Sequence, residues 1–437
     1  MGAIALALPA SAQSGPRYTA KPEVKPCPKG VAAGSRCITG RDSEGAHFWL
    51  AVPPHWNGTL VVHAHGGPAL GEPKAARAAE DLTRWAVWTR AGFAYAGSGF
   101  RQGGVAVRSA AEDTERVRQI FVAEVGAPKR TILHGQSWGA GVAARAAELF
   151  TRTREGAAPY DGLLLSSGVL GGGALSYNFR ADLRVVYQAV CGNHPRPDEP
   201  AYPLWQGLPL ESKLTRAQLA DRVDECTGVL KKPQARSAQQ QRNLKTLTEV
   251  IRIPESSLIG HMNWATWHFQ DIAFKQLDGR NWFDNLSVRY AGSSDDAALN
   301  AKVARYRADP AAKVLFAADT DLQGRIAVPV LTIRGVKNPT AFVELGAVFG
   351  DTMMRGGSAE RLVQTYTDDS AHSYLSDAQY VAAMQSLIDW VERGEKPTPA
   401  TVAARCPRVD AAFDPANGCR FLPAYVPNDL SVRVPAR

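Results

Sequence analysis

Short runs of β-branched and aromatic residues alternate with longer helical patterns from Ala46 onward, and this alternation constrains the fold more than any other feature of the chain. Such alternation is typical of strands joined by crossover helices into a largely parallel sheet. The runs at 161–167 and 328–334 are apolar on both faces, which predicts buried parallel strands. The remaining predicted strands cover residues 47–53, 58–65, 93–97, 130–134 and 362–366, the first of them antiparallel at an edge of the sheet. The sequence therefore predicts an α/β protein with a mostly parallel central sheet flanked by helices, two of them at about 109–125 and 377–391.

Residues 172–326 depart from this alternation. They consist of amphipathic helical patterns and polar loops, far longer than the ~2–6 residues of an ordinary α/β connection. We interpret them as a large helical lid inserted into the core, which divides into residues 13–171 and 327–393 and is followed by a C-terminal tail at 394–437. Core packing is expected for most of the lid aromatics, although they would also suit a substrate pocket. The aromatic and histidine residues in question are Trp264, Trp267, His268, Phe269, Phe274, Trp282 and Phe283.

The N-terminal residues 1–12 are small and apolar and end in Ala10-Ser11-Ala12. This pattern matches the apolar region and cleavage site of a signal peptide, although the usual basic start is missing, and a frayed apolar terminus is the alternative. No other run approaches the ~18 apolar residues of a membrane span. The sequence predicts a secreted or periplasmic protein.

Six cysteines fall into three pairs that are local in sequence: Cys27 with Cys37, Cys191 with Cys226, and Cys406 with Cys419. An even count beside an export signal predicts disulfide bonds. Six cysteines allow ~15 connectivities, so pairing by proximity is a first expectation and the connectivity is left open. None of the pairs has the spacing of a metal site, so no structural metal is expected. The formal net charge is +8, but Lys and Arg are scattered rather than clustered. Nucleic acid is therefore not an expected partner, and the oligomeric state is left open.

Ser137 stands in a Gly-Gln-Ser-Trp-Gly stretch between the predicted strand at 130–134 and a helical run at 140–150. A strand, a tight Gly-x-Ser-x-Gly turn and a helix together form a nucleophile elbow, in which the glycines relieve crowding and the serine is exposed. Ser137 is the candidate nucleophile. The alternative is a Gly/Ser turn without chemistry.

A His-Gly-Gly-Pro stretch at 65–68 follows an earlier strand, at the end of the sheet where ligands collect in open α/β folds. Acyl transfer needs two N–H donors aimed at the developing oxyanion. The backbone N–H groups of Gly67 and Trp138 are the candidates, because glycine permits close approach and Trp138 follows the nucleophile. The alternative is an ordinary turn at the end of a strand, and His63 and His65 are expected to be structural.

These motifs, together with Pro-Val-Leu-Thr-Ile-Arg-Gly at 329–335 and Ala371-His372, resemble the α/β-hydrolase superfamily over about residues 46–393 apart from the lid. The His-Gly-Gly-Pro stretch is similar to that of proline iminopeptidases and related hydrolases with lids. The resemblance implies the α/β-hydrolase fold and a triad in the order nucleophile, acid, histidine. His372 is then the candidate base, because it is the sole histidine beyond His268 and lies in a loop between a strand and a helix. A surface-loop histidine without a role is the alternative.

The third triad position is where the chain departs from the family. Asn338 occupies the usual place of the acid, but an amide supplies no charge for the imidazolium. A carboxylate elsewhere is therefore preferred, with Glu344 ahead of Asp368 and Asp369, which are close to His372 in sequence. Asn338 also suits the N-cap of a helix that has Pro339 at its first position.

The sequence thus predicts a secreted serine hydrolase that cleaves a small-molecule or oligomeric carboxylic ester without a cofactor. A peptidase or amidase of the proline-iminopeptidase type is the first alternative, with Asp224-Glu225 or Asp295-Asp296 as a lid carboxylate pair for a free amine. A binding protein on the same fold, without a working triad, is the second.

Overall fold

The described part of the chain contains one sheet of nine strands in the order β1-β2-β3-β5-β4-β6-β7-β8-β9. This computed structural model describes residues 18–153, 155–414, 418–435 and 437, so the predicted signal peptide at 1–12 lies outside the described residues. Strands β1 to β3 are antiparallel to their neighbours, and β4 to β9 are parallel. The strands are β1 Glu23–Lys25, β2 Arg36–Arg41, β3 His47–Val52, β4 Thr59–Ala64, β5 Ala94–Ser98, β6 Arg130–Gln136, β7 Gly162–Ser166, β8 Val330–Gly335 and β9 Leu362–Thr367.

Helices cover both faces of the parallel strands, which is why every residue of β4, β7 and β8 is buried. Successive residues of β4 divide between the two faces: Leu60 and Val62 pack with α3 and α4, while Val61 packs with α1, α2 and α13. The core helices are α1 Ala75–Arg84, α2 Val87–Arg90, α3 Val107–Glu124, α4 Trp138–Leu149, α12 Leu345–Arg355 and α13 Asp377–Arg393. The predicted α/β-hydrolase fold, with a mostly parallel sheet flanked by helices, is confirmed.

The segment between β7 and β8 is helical. Its helices are α5 Gly172–Cys191, α6 Arg216–Thr227, α7 Ala238–Ile251, α8 Leu258–Asn263, α9 Phe269–Asp271, α10 Asp296–Lys302 and α11 Pro310–Thr320, with π-helical turns at Trp264–His268 and Ile272–Gln276. Single π-helical turns often occur at functional sites. The boundaries of a lid at 172–326, and its function as a lid, stay predictions.

The C-terminal residues return to the core. Helices α14 Pro399–Ala403 and α15 Cys406–Phe413 pack against α13, and Phe421 forms a bridge with Thr367 of β9. Further on, Arg433 forms an ion pair with Glu344 and Arg437 forms one with Asp182 of α5. The last residues therefore connect α12 of the core with the helical segment.

All seven predicted strands are present, with ends that shift by at most two residues. Strands β1 and β2 were not predicted. They lie outside β3 in the sheet, so β3 is antiparallel as expected but does not form the edge. Short, partly exposed strands of this kind give little periodicity to read from sequence.

The three predicted disulfide pairs are confirmed: Cys27–Cys37, Cys191–Cys226 and Cys406–Cys419. Within the described ranges, none of the helices has both the length and the hydropathy that crossing a bilayer requires.

Candidate active site

Ser137 sits at a strained turn between β6 and α4, with a backbone φ of 57°. The two flanking glycines are required by close backbone approach. A Cβ at Gly135 would collide with the carbonyl oxygen of Gly139, and a Cβ at Gly139 would collide with the carbonyl oxygen of Ala64. A left-handed φ is costly for a residue with a side chain and is typical of functional sites. The local geometry is that of a nucleophile elbow.

The hydroxyl of Ser137 and the imidazole of His372 lie within hydrogen-bond distance, with Oγ and Nε2 separated by 2.8 Å. These side chains are 235 residues apart in sequence and meet because β6 and β9 end at the same edge of the sheet. Gln136 supports this arrangement, since its Nε2 donates to the carbonyl oxygen of His372 at 2.9 Å. Gln136 also packs against Gly66, where no Cβ would fit. Gln136 was not predicted as a site residue, because it occupies a variable position of the turn motif and gives no signal of its own.

Asn338 faces the other nitrogen of His372. The Nδ1–H of the imidazole donates to Oδ1 of Asn338 at 3.1 Å. The same oxygen accepts the backbone N–H groups of Thr340 and Ala341, each at 3.0 Å. These two donors fix the amide orientation, because a flipped amide would place its own N–H groups against them. The oxygen therefore keeps Nδ1 protonated and leaves Nε2 free to accept the proton of Ser137.

The expectation that Glu344 holds His372 is wrong on this geometry. Glu344 is buried and 4% exposed, but its carboxylate forms an ion pair with Arg433 at 3.0 Å. Asp369 is bound by Arg420 and by Gln379, and Asp368 pairs with Lys337 at the surface. Each of these carboxylates points to a partner other than the imidazole.

The alternative that Asn338 caps a helix is also wrong. The next helix, α12, begins at Leu345, and its N-cap is Glu344. The bonds from Thr340 and Ala341 to the Asn338 side chain instead close a local turn.

The electrostatic environment of His372 is cationic. Burial, and then the nearby guanidinium groups of Arg180 and Arg334, lower the pKa of His372 to about 4. A carboxylate partner would have the opposite effect, because it favours the imidazolium. His372 is therefore neutral at pH 7, which suits a base, and within the described ranges no carboxylate is hydrogen-bonded to its ring.

The two candidate oxyanion donors belong to two different segments, the start of α4 and the loop after β4. Trp138 is the first residue of α4, a position where the backbone N–H has no acceptor within the helix. Gly67 is exposed with a φ of 72°, and the space beside its Cα is open. A cleft of about 280 Å³ has Pro68, Phe100 and Trp138 among its walls, but Gly67, Ser137 and His372 do not line it.

A row of side chains from the helical segment spans the site. Nε of Arg180 donates to Nδ1 of His261 at 3.2 Å, and His261 reaches the carbonyl oxygen of Pro339 at 2.9 Å. The guanidinium of Arg180 lies 4.8 Å from the ring of Trp264, which stacks on His268 with a centroid distance of 4.6 Å. His268 donates to the carbonyl oxygen of Pro68 at 3.0 Å. The row thus extends from the loop of Asn338 to the loop of Gly67.

Arg180 and His261 were not among the residues predicted from the sequence, and for Trp264 and His268 core packing was expected ahead of a substrate pocket. No signal in the chain marks Arg180, because one arginine in an amphipathic helix is ordinarily solvated.

The sheet order, the elbow between β6 and α4, and the histidine loop after β9 define the α/β-hydrolase fold, so the resemblance in sequence is confirmed for the fold.

No protein-family model matches the chain, and no curated protein matches it in sequence. Solved structures similar to it include an esterase from Aspergillus oryzae, with 12% identity over 83% of this chain and 80% of that one and a TM-score of 0.44. Feruloyl esterase B from Aspergillus oryzae has 13% identity over 83% and 81% of the two chains and a TM-score of 0.38. Puromycin hydrolase has 15% identity over 85% of this chain and 39% of that one, also with a TM-score of 0.38.

Proposed function

We propose that this protein is a serine hydrolase that cleaves carboxylic esters through an acyl-enzyme. The observation that carries the proposal is the 2.8 Å separation of Ser137 Oγ and His372 Nε2 at a strained elbow. Within the described residues, no group of three or more His, Cys, Asp and Glu side chains is placed to hold a metal ion. The reaction proposed here uses only side chains and backbone groups of the chain.

In the proposed reaction, Nε2 of His372 takes the proton of Ser137 as Oγ attacks the ester carbonyl. The N–H groups of Gly67 and Trp138 stabilise the oxyanion. The imidazolium returns the proton to the departing alcohol, and water, activated by the same imidazole, then releases the acid. Asn338 keeps the imidazole in the required tautomer, in the position that an aspartate takes in other triads.

Ester cleavage suits this site better than amide cleavage. An amine must be protonated as it leaves, whereas an alkoxide or phenolate demands less of the general acid. Because no carboxylate stabilises the imidazolium of His372, substrates that need little proton transfer are favoured. The acid pairs considered for an amine site are occupied elsewhere: Glu225 pairs with Arg196 at the surface, and Asp295 caps α10.

We further propose that the helical segment 172–326 acts as a lid and that the protein works outside the cytosol. Support for a lid comes from the row Arg180–Trp264–His268, which reaches both catalytic loops. Support for export comes from the three disulfide bonds, which are typical of oxidising compartments.

The experiment that tests the function is hydrolysis of p-nitrophenyl esters and aminoacyl p-nitroanilides by the wild type, Ser137→Ala and Ser167→Ala. Ser167 is a matched control, because it is also buried with a positive φ of 46° but is not hydrogen-bonded to His372. We expect ester turnover that falls at least about 1,000-fold in Ser137→Ala and persists in Ser167→Ala. A fluorophosphonate should label Ser137, as located by mass spectrometry of peptides. Anilide turnover without ester turnover would indicate a peptidase, and no turnover with no labelling would indicate a binding protein.

A further inference from the structure

Arg180 is a buried cation without a carboxylate partner. It is 3% exposed, and it forms no ion pair with any Asp or Glu in the described part of the chain. Its shortest hydrogen bond is the 3.2 Å contact with His261, and its contacts with the carbonyl oxygens of Ser176 and Thr340 are each 3.5 Å long. Each of the three guanidinium nitrogens thus makes one hydrogen bond, two of them long, so two of the five N–H donors are left without a partner.

Aromatic rings surround this cation. The guanidinium carbon lies 4.5 Å from the ring centre of Phe179 and 4.8 Å from that of Trp264. Cation–π contacts recover only part of the free energy that burying an unpaired ion costs. Burial also lowers the pKa of Arg180 to about 10, which leaves it charged at neutral pH. The free protein therefore carries a buried positive charge, and the surrounding aromatic rings and hydrogen bonds stabilise it only in part.

The position of Arg180 relates this charge to the candidate active site. Its Nη2 approaches the carbonyl oxygen of Thr340, whose backbone N–H binds the same Asn338 oxygen that holds His372. Through Trp264 and His268 it connects to Pro68, next to Gly67. The loops on both sides of Ser137 are thus tied to the row that contains Arg180.

We propose that Arg180 binds a carboxylate carried by the substrate, so that the preferred substrates of this hydrolase are anionic esters. Examples are the hemiesters of dicarboxylic acids and hydroxybenzoic acids esterified at the phenol, because both keep a free carboxylate. This inference rests on the proposed ester hydrolysis. A planar guanidinium pairs with a carboxylate through two parallel hydrogen bonds, a geometry that suits its unused donors. The bound anion also offsets the positive electrostatic potential at His372 and so stabilises the imidazolium that forms in the reaction. Asn338 is neutral and does not provide this stabilisation.

The test compares matched pairs of esters that differ only in one negative charge. Mono-4-nitrophenyl glutarate is compared with 4-nitrophenyl methyl glutarate, which places the charge on the acyl part. Likewise, 4-carboxyphenyl butyrate is compared with 4-(methoxycarbonyl)phenyl butyrate, which places it on the alcohol part. We expect kcat/KM to favour the anionic member of at least one pair by about tenfold or more.

Variants assign the preference to Arg180. In Arg180→Gln the ratio of kcat/KM for the anionic ester to kcat/KM for the neutral ester should lose its excess over one, whatever the absolute rates, and Arg180→Lys should restore part of this ratio. Arg184→Gln is the matched control, because Arg184 lies one turn further along α5, is equally buried without a carboxylate partner, and bonds to Tyr202. That variant should keep the preference of the wild type. An equal preference in Arg180→Gln and the wild type would overturn the inference.

Inhibition of the wild type by a small carboxylate tests the role of Arg180 even if the variants of Arg180 fail to fold. Glutarate should inhibit hydrolysis of a neutral p-nitrophenyl ester competitively, at a concentration at least about tenfold below that of glutaramide. Equal inhibition by the two compounds, with no preference among the ester pairs, would overturn the inference but leave the proposed function intact. Loss of the proposed function would show differently, as absence of any turnover dependent on Ser137.

Discussion

One amide oxygen determines how His372 is oriented. Oδ1 of Asn338 accepts three hydrogen bonds, from Thr340, Ala341 and His372, and the two backbone donors prevent the amide from turning its N–H groups toward the imidazole. In a serine triad, replacing aspartate by asparagine costs about 10⁴-fold in turnover, because the wrong tautomer is stabilised. Here the local turn favours the correct tautomer without a charge, and what is missing is only stabilisation of the imidazolium.

The pH dependence of catalysis follows from this arrangement. His372 acts as a base only when neutral, and its pKa is lowered to about 4, mainly by burial. The acid limb of kcat/KM for a neutral p-nitrophenyl ester should therefore lie near pH 4, well below the usual ~6.5 of histidine. In Asn338→Asp the new carboxylate favours the imidazolium, so the limb should move to higher pH and kcat at pH 8 should increase. Asn338→Ala is the control and should lose activity at every pH. A wild-type limb at 6.5 would contradict the cationic site described here.

Helix α5 combines three buried charged side chains with a covalent link to the next helix. Arg180, Asp182 and Arg184 are all buried within it, and its C-terminal residue, Cys191, is joined to Cys226 of α6. The disulfide closes a loop with a sequence separation of 35, longer than those of the other two bonds. Since the entropy of loop closure grows with loop length, this bond should contribute most to stability, about 3–4 kcal/mol.

In the double variant Cys191→Ser/Cys226→Ser, the helical segment should become susceptible to proteolysis before the core does. We expect trypsin to cut first between residues 192 and 258, at a protease concentration that leaves the wild type intact, because α6 and α7 lose their link to α5. Limited proteolysis with mass spectrometry measures this. The matched control is Cys27→Ser/Cys37→Ser, which removes a bond near β2 and should not expose that segment. Initial cleavage within the central sheet would refute the expectation.

The C-terminal residues hold the core and the helical segment together. Arg433 pairs with Glu344 at the start of α12 and also donates to the carbonyl oxygen of Arg252 at the end of α7. Arg437 pairs with Asp182 of α5 at 2.6 Å. Glu344, which the sequence suggested as a catalytic acid, is therefore placed to stabilise the contact between the core and the helical segment.

Glu344→Gln should separate stability from catalysis. We expect the free energy of unfolding to fall by about 1–3 kcal/mol, because the variant leaves the Arg433 guanidinium without its carboxylate. The kcat of the folded variant on a p-nitrophenyl ester should stay within about twofold of the wild type, since Glu344 does not contact His372. Denaturant unfolding and steady-state kinetics at 25 °C measure the two quantities. A large loss of kcat with unchanged stability would return Glu344 to the role of triad acid.

Local patterns in the sequence were sufficient for the strands, the elbow and the disulfide pairs. Strands β4, β7 and β8 could be predicted because burial on both faces makes them continuous apolar runs. The elbow at Ser137 could be predicted because close backbone approach requires glycine at 135 and 139. The cysteine pairs were close enough in sequence for proximity to be a sound guide. The catalytic roles of Ser137 and His372 stay predictions, although the structure brings the two side chains together.

The sequence by itself determined strands β3 to β9 of the sheet and where its sharpest turn lies, because hydrophobic periodicity and glycine sterics act between near neighbours. Only the tertiary structure decided that Asn338 rather than Glu344 faces His372. It also decided that Arg180 is buried near the loop of Asn338 and forms no ion pair with a carboxylate of the described residues. Both outcomes depend on contacts between segments far apart in the chain, such as Arg433 with Glu344 and Arg180 with Thr340. Charge pairing over such distances follows from how the helices pack, and no local pattern in the sequence encodes it.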